Sequence, residues 1–295
     1  MSVQKLSDHV SIIDLKPHGI ERFIASYVLH GKKTAVIECG PASSSENLLK
    51  GLRELKVNFE KVEYVMVTHA HIDHWGGAGV LLKNLPKAKL MVHPRGLAHL
   101  ADPQKLWEQS KKVLGEVADI FGNPLPIPWD RLTPAHDGLI VDLGNMEVQV
   151  LETLGHSPHH VSYFERNSKS LFPGETAGMY IESLDAIVPA TPPVIILDKL
   201  FNSIERLVAL KPEKIHYTHY GAADNAIEKL RAYDRQLHTW SETINECLRN
   251  NEDLKAIIER LKKRDPHFNK AYDFIMSHPI IGRALNSIIH GFIVN

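Results

Sequence analysis

The sequence predicts an α/β protein, with sheets sandwiched between helices in a large N-terminal body and a helical C-terminal extension. Two observations predict it. Up to about residue 222, short runs rich in β-branched residues alternate with stretches of helical period, the mark of mixed α/β layers. From about residue 224 onward, apolar residues recur at steps of three and four. That change of period divides the chain into a body, residues 1–222, and an extension, residues 223–295.

Within the body, Val10–Asp14 reads as a strand, and residues 34–38 as a second that ends at Gly40-Pro41. Ser43 followed by Glu46 has the spacing of a capping box, and Leu48, Leu49, Leu52 and Leu55 give the helix behind it a buried face. Residues 62–67 form a buried strand that stops at a run of histidines. Residues 76–85 read as helix, and residues 89–92 as a strand closed by His93-Pro94. The prolines of residues 120–136 predict a long extended loop. Strands return at residues 139–141, 147–152 and 160–164. Asp198 stands where it can cap a helix with the apolar face Phe201, Ile204, Leu207 and Val208, stopped by Pro212. A last strand, residues 214–218, delivers His219. In the extension Leu230, Tyr233, Leu237, Trp240, Ile244 and Leu248 make an amphipathic stripe, and residues 254–261 and 284–292 repeat the pattern.

A chain of 295 residues can bury a sizeable core, and 43% apolar with 23% charged content is ordinary for a globular protein. The formal charge is −1 with both signs mixed, so the basic footprint of a dedicated nucleic-acid binder is missing. Cys39 and Cys247 are too few for a disulfide framework and too far apart to suggest a thiol metal site. No apolar run reaches membrane length and no secretory leader is evident, so a cytoplasmic location without a membrane partner is expected. The unusual number is 18 histidines, because His is the commonest transition-metal ligand.

The chemistry sits at the strand ends. Thr68-His69-Ala70-His71-Ile72-Asp73-His74 follows directly on a buried strand. A turn leaving a strand can aim alternate side chains at one centre, so His69 and His71 can share one metal. Asp73 and His74, on the neighbouring turn, can reach a second. Gly76-Gly77 lets backbone approach closely. Four ligand-type side chains in one buried run are costly without a cation to compensate them.

His69-x-His71-x-Asp73-His74 resembles the HxHxDH signature of the metallo-β-lactamase superfamily, and later family motifs recur in order. Leu154-Gly155-His156-Ser157-Pro158 resembles the segment whose histidine completes the first metal site. Phe172-Pro173-Gly174-Glu175 stands where the family has a Gly-Asp whose acid bridges both metals. Tyr217-Thr218-His219-Tyr220-Gly221 resembles the last motif, and Ile37-Glu38-Cys39-Gly40 the strand end that supports the metal loop. The resemblance covers about residues 1–222 and implies an αββα sandwich with the site at one edge between two sheets. It implies a first metal on His69, His71 and His156, and a second on Asp73, His74 and His219, with Glu175 bridging. Two departures stand out: Glu175 replaces aspartate, adding a methylene, and His159 replaces a glycine.

The resemblance further implies a hydrolase in which a hydroxide between two metals attacks a polarised carbonyl or phosphoryl oxygen, oriented by Asp73. Imidazole-rich ligation favours zinc, with iron or manganese as alternatives. The short intervals between motifs and the lack of a basic surface favour a small ester, thioester or lactone over nucleic acid. A phosphodiesterase is the runner-up, and a mononuclear iron dioxygenase of the same fold belongs to another class. His93 is read as structural, and His159 or His160 as a contact to substrate or a ligand. The extension is expected to pack over the cleft, as a pocket wall or a homodimer contact.

Overall fold

The computed structural model describes residues 2–193 and 195–293. Its first sheet takes its strands in sequence order: β1 (Val3–Lys5), β2 (Val10–Asp14), β3 (Ala25–His30), β4 (Thr34–Ile37), β5 (Val62–Met66), β6 (Lys89–Val92) and β7 (Leu132–Pro134). The pairs from β1 to β4 are antiparallel; those from β4 to β7 are parallel. The second sheet uses β8 (Ile140–Asp142), β9 (Glu147–Glu152), β10 (Val161–Glu165) and β11 (Ser170–Phe172). After a separate hairpin, β12 (Met179–Ile181) and β13 (Ala186–Val188), it is completed by β14 (Lys214–Tyr217) and β15 (Gly221–Ala223), in the order β15-β14-β11-β10-β9-β8.

Alternation along the strands builds two cores. Ala25, Tyr27 and Leu29 of β3 and Ala35 and Ile37 of β4 meet Val148, Val150, Val161, Tyr163 and Phe172 between the sheets. The intervening residues, such as Val28, Val36 and Val65, join the helices in a second, larger core. Two tyrosines tie the sheets together beside the future site. The Tyr163 hydroxyl donates to Val67 O (2.9 Å), and the Tyr27 hydroxyl lies 2.6 Å from Tyr217 O. The strands β5, β11 and β14 therefore deliver their C-terminal ends to one edge.

The helices of the body are α1 (Ser45–Glu54), α2 (Ile72–Trp75), α3 (Ala78–Asn84), α4 (Leu97–Ala101), α5 (Gln104–Leu114), α6 (Glu116–Phe121) and α7 (Leu197–Ala209). The extension is α8 (Ala226–Arg249), α9 (Leu254–Arg264), α10 (Pro266–Ser277) and α11 (Ile281–Ile293). Its stripe is buried as expected: Leu230, Tyr233, Leu237, Trp240 and Ile244 are all fully inaccessible, and they share a core with Ile187 and Val188 of the hairpin. Leu248 is the exception, at 38% exposure. One buried carboxylate pins this region. Asp265 caps α10 by accepting from His267 N and Phe268 N, and its other oxygen accepts from Gln236 Nε2 and Trp240 Nε1, both at 2.7 Å.

Three sequence expectations need correction. A 3-10 turn, Ala42–Ser44, precedes α1, so Ser43 lies inside the turn and neither it nor the N-cap Ser44 makes a capping-box bond. Asp198 falls within the first turn of α7 rather than at its cap. The proline-rich segment is not loop throughout. Its end forms β7, where Pro134 is tolerated because β7 is the edge of its sheet.

Two outcomes follow from buried polar groups. Asp265→Ala should cost about 3–5 kcal/mol, since it removes a cap and strands two buried donors. Urea melts check this, and a loss under about 1 kcal/mol would contradict it. His216 stacks on Phe172 (4.6 Å, 16°), and burial holds its imidazole down at about 3. The folded state therefore binds fewer protons than the unfolded state below about pH 6.5, so stability falls as pH falls through that window. His216→Phe should spare roughly 2 kcal/mol of the loss between about pH 7 and pH 5, read from urea melts at both values.

Candidate metal centre

The turn after β5 is held open by its neighbours before any ligand is considered. Thr68 N donates to Glu38 Oε1 (3.0 Å), and Trp75 Nε1 donates to Ala70 O (3.1 Å). Glu38 adopts a left-handed φ of 63°, an uncommon state for a residue with a side chain, and its Oε2 accepts from His74 Nδ1 at 3.1 Å. Close approach sets the glycines behind the loop: a Cβ on Gly76 would lie 2.8 Å from Ala42 N, and one on Gly77 2.6 Å from Cys39 O.

The structure gathers all seven predicted ligands into two groups, His69–His71–His156–Glu175 and Asp73–His74–His219, each with its donor atoms within 4.8 Å of one another. In the first, His69 Nε2 lies 2.8 Å from His71 Nδ1, which lies 3.1 Å from His156 Nε2. Nitrogen ligands about 2.0–2.1 Å from a zinc ion in a tetrahedron stand about 3.3 Å apart, so the spacing suits a single cation. In the second group His219 Nε2 is 3.5 Å, and His74 Nε2 3.7 Å, from Asp73 Oδ2. His74 Nε2 is buried without a hydrogen-bond partner among the described residues, an orphan that a cation would satisfy.

Glu175 lies between the groups. Its Oε2 is 2.8 Å from His156 Nε2, 3.2 Å from His69 Nε2 and 3.4 Å from His74 Nε2; its Oε1 is 3.6 Å from His219 Nε2. The longer side chain is carried on a tight 3-10 turn, Gly174–Ala177, where Gly174 has φ 57°. A Cβ on Gly174 would lie 2.6 Å from His160 Nε2.

Outward bonds fix which ring nitrogen faces the centre. His156 Nδ1 donates to Ala190 O (2.9 Å), His219 Nδ1 to Phe23 O (3.3 Å) and His74 Nδ1 to Glu38. His160 is a brace rather than a ligand. Its Nε2 accepts from Glu175 N (3.2 Å), so its Nδ1 carries the proton and donates to Thr153 Oγ1 (2.9 Å). His159 Nδ1 accepts from Ala70 N at 3.3 Å. His93 is structural, as read from the sequence: its Nε2 pairs with Glu152 (2.8 Å), and its Nδ1 accepts from Arg95 N.

The electrostatics divide the imidazoles into two kinds. Burial pushes the His69 imidazole well below its usual value and His71 down to about 4, so both stand neutral at pH 7 and can offer lone pairs. Burial alone would lift the Glu175 carboxyl, but the charge and hydrogen bond of His156, with the His69 and His74 imidazoles beside it, outweigh burial and hold the group well below the carboxylate range. At His74 burial opposes charge, yet Glu38 and Asp73 outweigh it and raise the imidazole well above normal, so a metal that enters this group displaces a proton from Nε2.

The edge with this ligand arrangement fits the family match. The family description "Metallo-beta-lactamase superfamily" matches residues 19–219, well over half the chain. The chain belongs to that superfamily. The superfamily comprises metal-binding hydrolases, and the match ends before α8. The metallo-beta-lactamase fold-containing protein ST1585 of Sulfurisphaera tokodaii is 30% identical over 200 residues, 66% of this chain and 72% of that protein. The crystal structure of ST1585 has a TM-score of 0.63 at 28% identity, covering 73% and 81% of the two chains. The hydroxyacylglutathione hydrolase GloC of Haemophilus influenzae is 26% identical over 49% of this chain and 61% of its own length. TTHA1429 of Thermus thermophilus shares the fold, with a TM-score of 0.61 at 18% identity over 85% of this chain and 87% of its own. No helix among the described residues is long and apolar enough to cross a membrane.

Sequence reasoning missed the residues that reach the site from afar. Phe23, Ala190 and the α10–α11 corner carry no metal-ligand motif, and backbone carbonyls leave no sequence signal. A cavity of about 140 Å³ opens beside His219, lined by Phe23, Tyr220, Phe274, His278 and Ile281 among others. The extension thus walls a cavity that one of the seven ligands, His219, also lines. A more open depression of about 480 Å³ beside Pro212 and Asp224 contains none of the ligands.

Glu38→Gln keeps the shape but removes the charge behind His74. Metal affinity of the Asp73–His74–His219 group should fall about 10–100-fold, measured by chelator competition, while the other group keeps its metal. Equal loss from both groups would show that Glu38 supports the whole fold instead.

Proposed function

We propose that the chain is a binuclear metal-dependent hydrolase of ester-type bonds: a carboxylic ester, a thioester or a lactone. The observation that carries the proposal is the position of Glu175, whose carboxylate lies within 3.6 Å of donors from both groups. His69, His71 and His156 would hold one metal, Asp73, His74 and His219 the other, and Glu175 would join them. When bound, the metals supply Lewis acidity, lowering the pKa of a water and polarising the scissile carbonyl. Zinc suits the imidazole-rich first group, and the carboxylates leave iron or manganese as alternatives.

The protein's own side chains do the rest. Asp73 is more exposed than Glu175, its side chain 17% accessible against 10%, and it would accept a hydrogen bond from the attacking water and orient it. Glu38, Ala190 O and Phe23 O keep the ligand imidazoles turned inward through turnover. Seven donors exceed what a single iron needs, which favours hydrolysis over dioxygenase chemistry. Relatives described as hydroxyacylglutathione hydrolases support a thioester among the substrates.

Removal of metal by chelation should abolish hydrolysis of a panel of phenyl esters, thioesters and lactones, and readdition should restore it. Glu175→Gln should lower the rate by roughly 100-fold or more, while Glu175→Asp retains partial activity. Undiminished turnover in Glu175→Gln would contradict the assignment.

A further inference from the structure

The cavity beside His219 has an unusual wall. Phe274, His278 and Ile281 come from α10, α11 and the corner between them, and face Phe23, whose carbonyl holds His219. The His278 ring packs 4.7 Å from that of Phe23. Its Nδ1 accepts from Ile280 N (3.2 Å) and Ile281 N (3.1 Å), which commits that nitrogen as an acceptor and places the proton on Nε2. Among the described residues no acceptor takes this Nε2–H. The ring therefore brings one uncommitted donor to the cavity that His219 also lines.

The charges around the cavity are already spent. Arg22 pairs with Glu182 and lies 5.3 Å over the Tyr220 ring, and Glu21 pairs with Lys16 at 2.7 Å. Among the described lining side chains no cation is left unpaired, so away from the His219 edge no side chain would compensate a carboxylate or phosphate for its lost hydration. An uncharged apolar group meets the aromatic wall without that penalty.

We propose that this cavity receives a small, uncharged apolar group of the substrate beside His219, with His278 donating a hydrogen bond from Nε2 to a substrate oxygen. The inference rests on the hydrolase reading for the reaction but not for the binding. It points to substrates, thioesters included, whose end bound in this cavity is uncharged. His278 is a specificity-determining residue in this scheme, and Phe274 sets the depth of the pocket.

The test compares the metal-loaded protein with His278→Phe, His278→Gln, Phe274→Trp and Phe274→Ala. Phe274 is 36% exposed, so its substitutions should leave the fold intact. His278→Phe should raise KM for neutral esters about tenfold with a smaller change in kcat, and His278→Gln, which restores an N–H, should recover part of it. A merely structural role for His278 would lower Tm and leave KM unmoved. Phe274→Trp should shift the preferred acyl chain shorter, and Phe274→Ala longer. Independently of turnover, saturation-transfer NMR with benzamide should show binding that Phe274→Trp and His278→Phe weaken. Benzamide binding without hydrolysis of any ester would remove the hydrolase reading and keep the pocket. Unchanged KM, chain-length preference and benzamide binding in the variants would overturn the pocket, as would a tenfold preference for anionic over neutral substrates.

Discussion

The hydrogen bonds on the outward ring nitrogens of His74, His156 and His219 decide which atoms remain available at the centre. Glu38, Ala190 O and Phe23 O each take one ring N–H, so in each ring Nε2 is the nitrogen turned toward the centre. Those nitrogens and the carboxylates of Asp73 and Glu175 cannot all satisfy one another inside a protein. A cation would resolve the conflict, and would meet His74 Nε2, which has no hydrogen-bond partner among the described residues.

The sandwich exists, in functional terms, to bring those bonds together. The ligands arrive from four separate strand ends, after β5, β9, β11 and β14. Cross-sheet bonds from Tyr27 and Tyr163 fix the two layers next to that edge, so the distance between His69 and His219 depends on the core between the sheets. The extension is coupled to the same edge through its buried stripe and the Asp265 node. His278 reaches Phe23, and Phe23 holds His219; a change of packing at His278, the residue after α10, is thus two contacts from a ligand.

Much of this was legible in the sequence because the ligands are local and the strands alternate. The run from His69 to His74 is compact, and His156, Glu175 and His219 each sit in a short motif at the end of a strand. The supports were legible only where they were side chains next to a motif, as with Glu38. Ala190 and Phe23 contribute backbone oxygen, which any residue supplies, and His278 is separated from Phe23 by most of the chain. Helix caps failed for a different reason. Ser43 and Asp198 have cap-forming side chains, but the chain enters α1 through a 3-10 turn and α7 two residues early, and local spacing does not record the entry path. Pro134 argued for loop, and the edge position of β7 overrode it.

The central claim is that seven side chains form two adjoining metal sites that share Glu175. Titration of cobalt(II) into metal-free protein, followed by visible absorption and elemental analysis, tests it most directly. Two ions per chain are expected, the first entering the site of three imidazoles, with Glu175→Gln weakening uptake at both. Saturation at one ion per chain, or uptake indifferent to Glu175, would contradict the account.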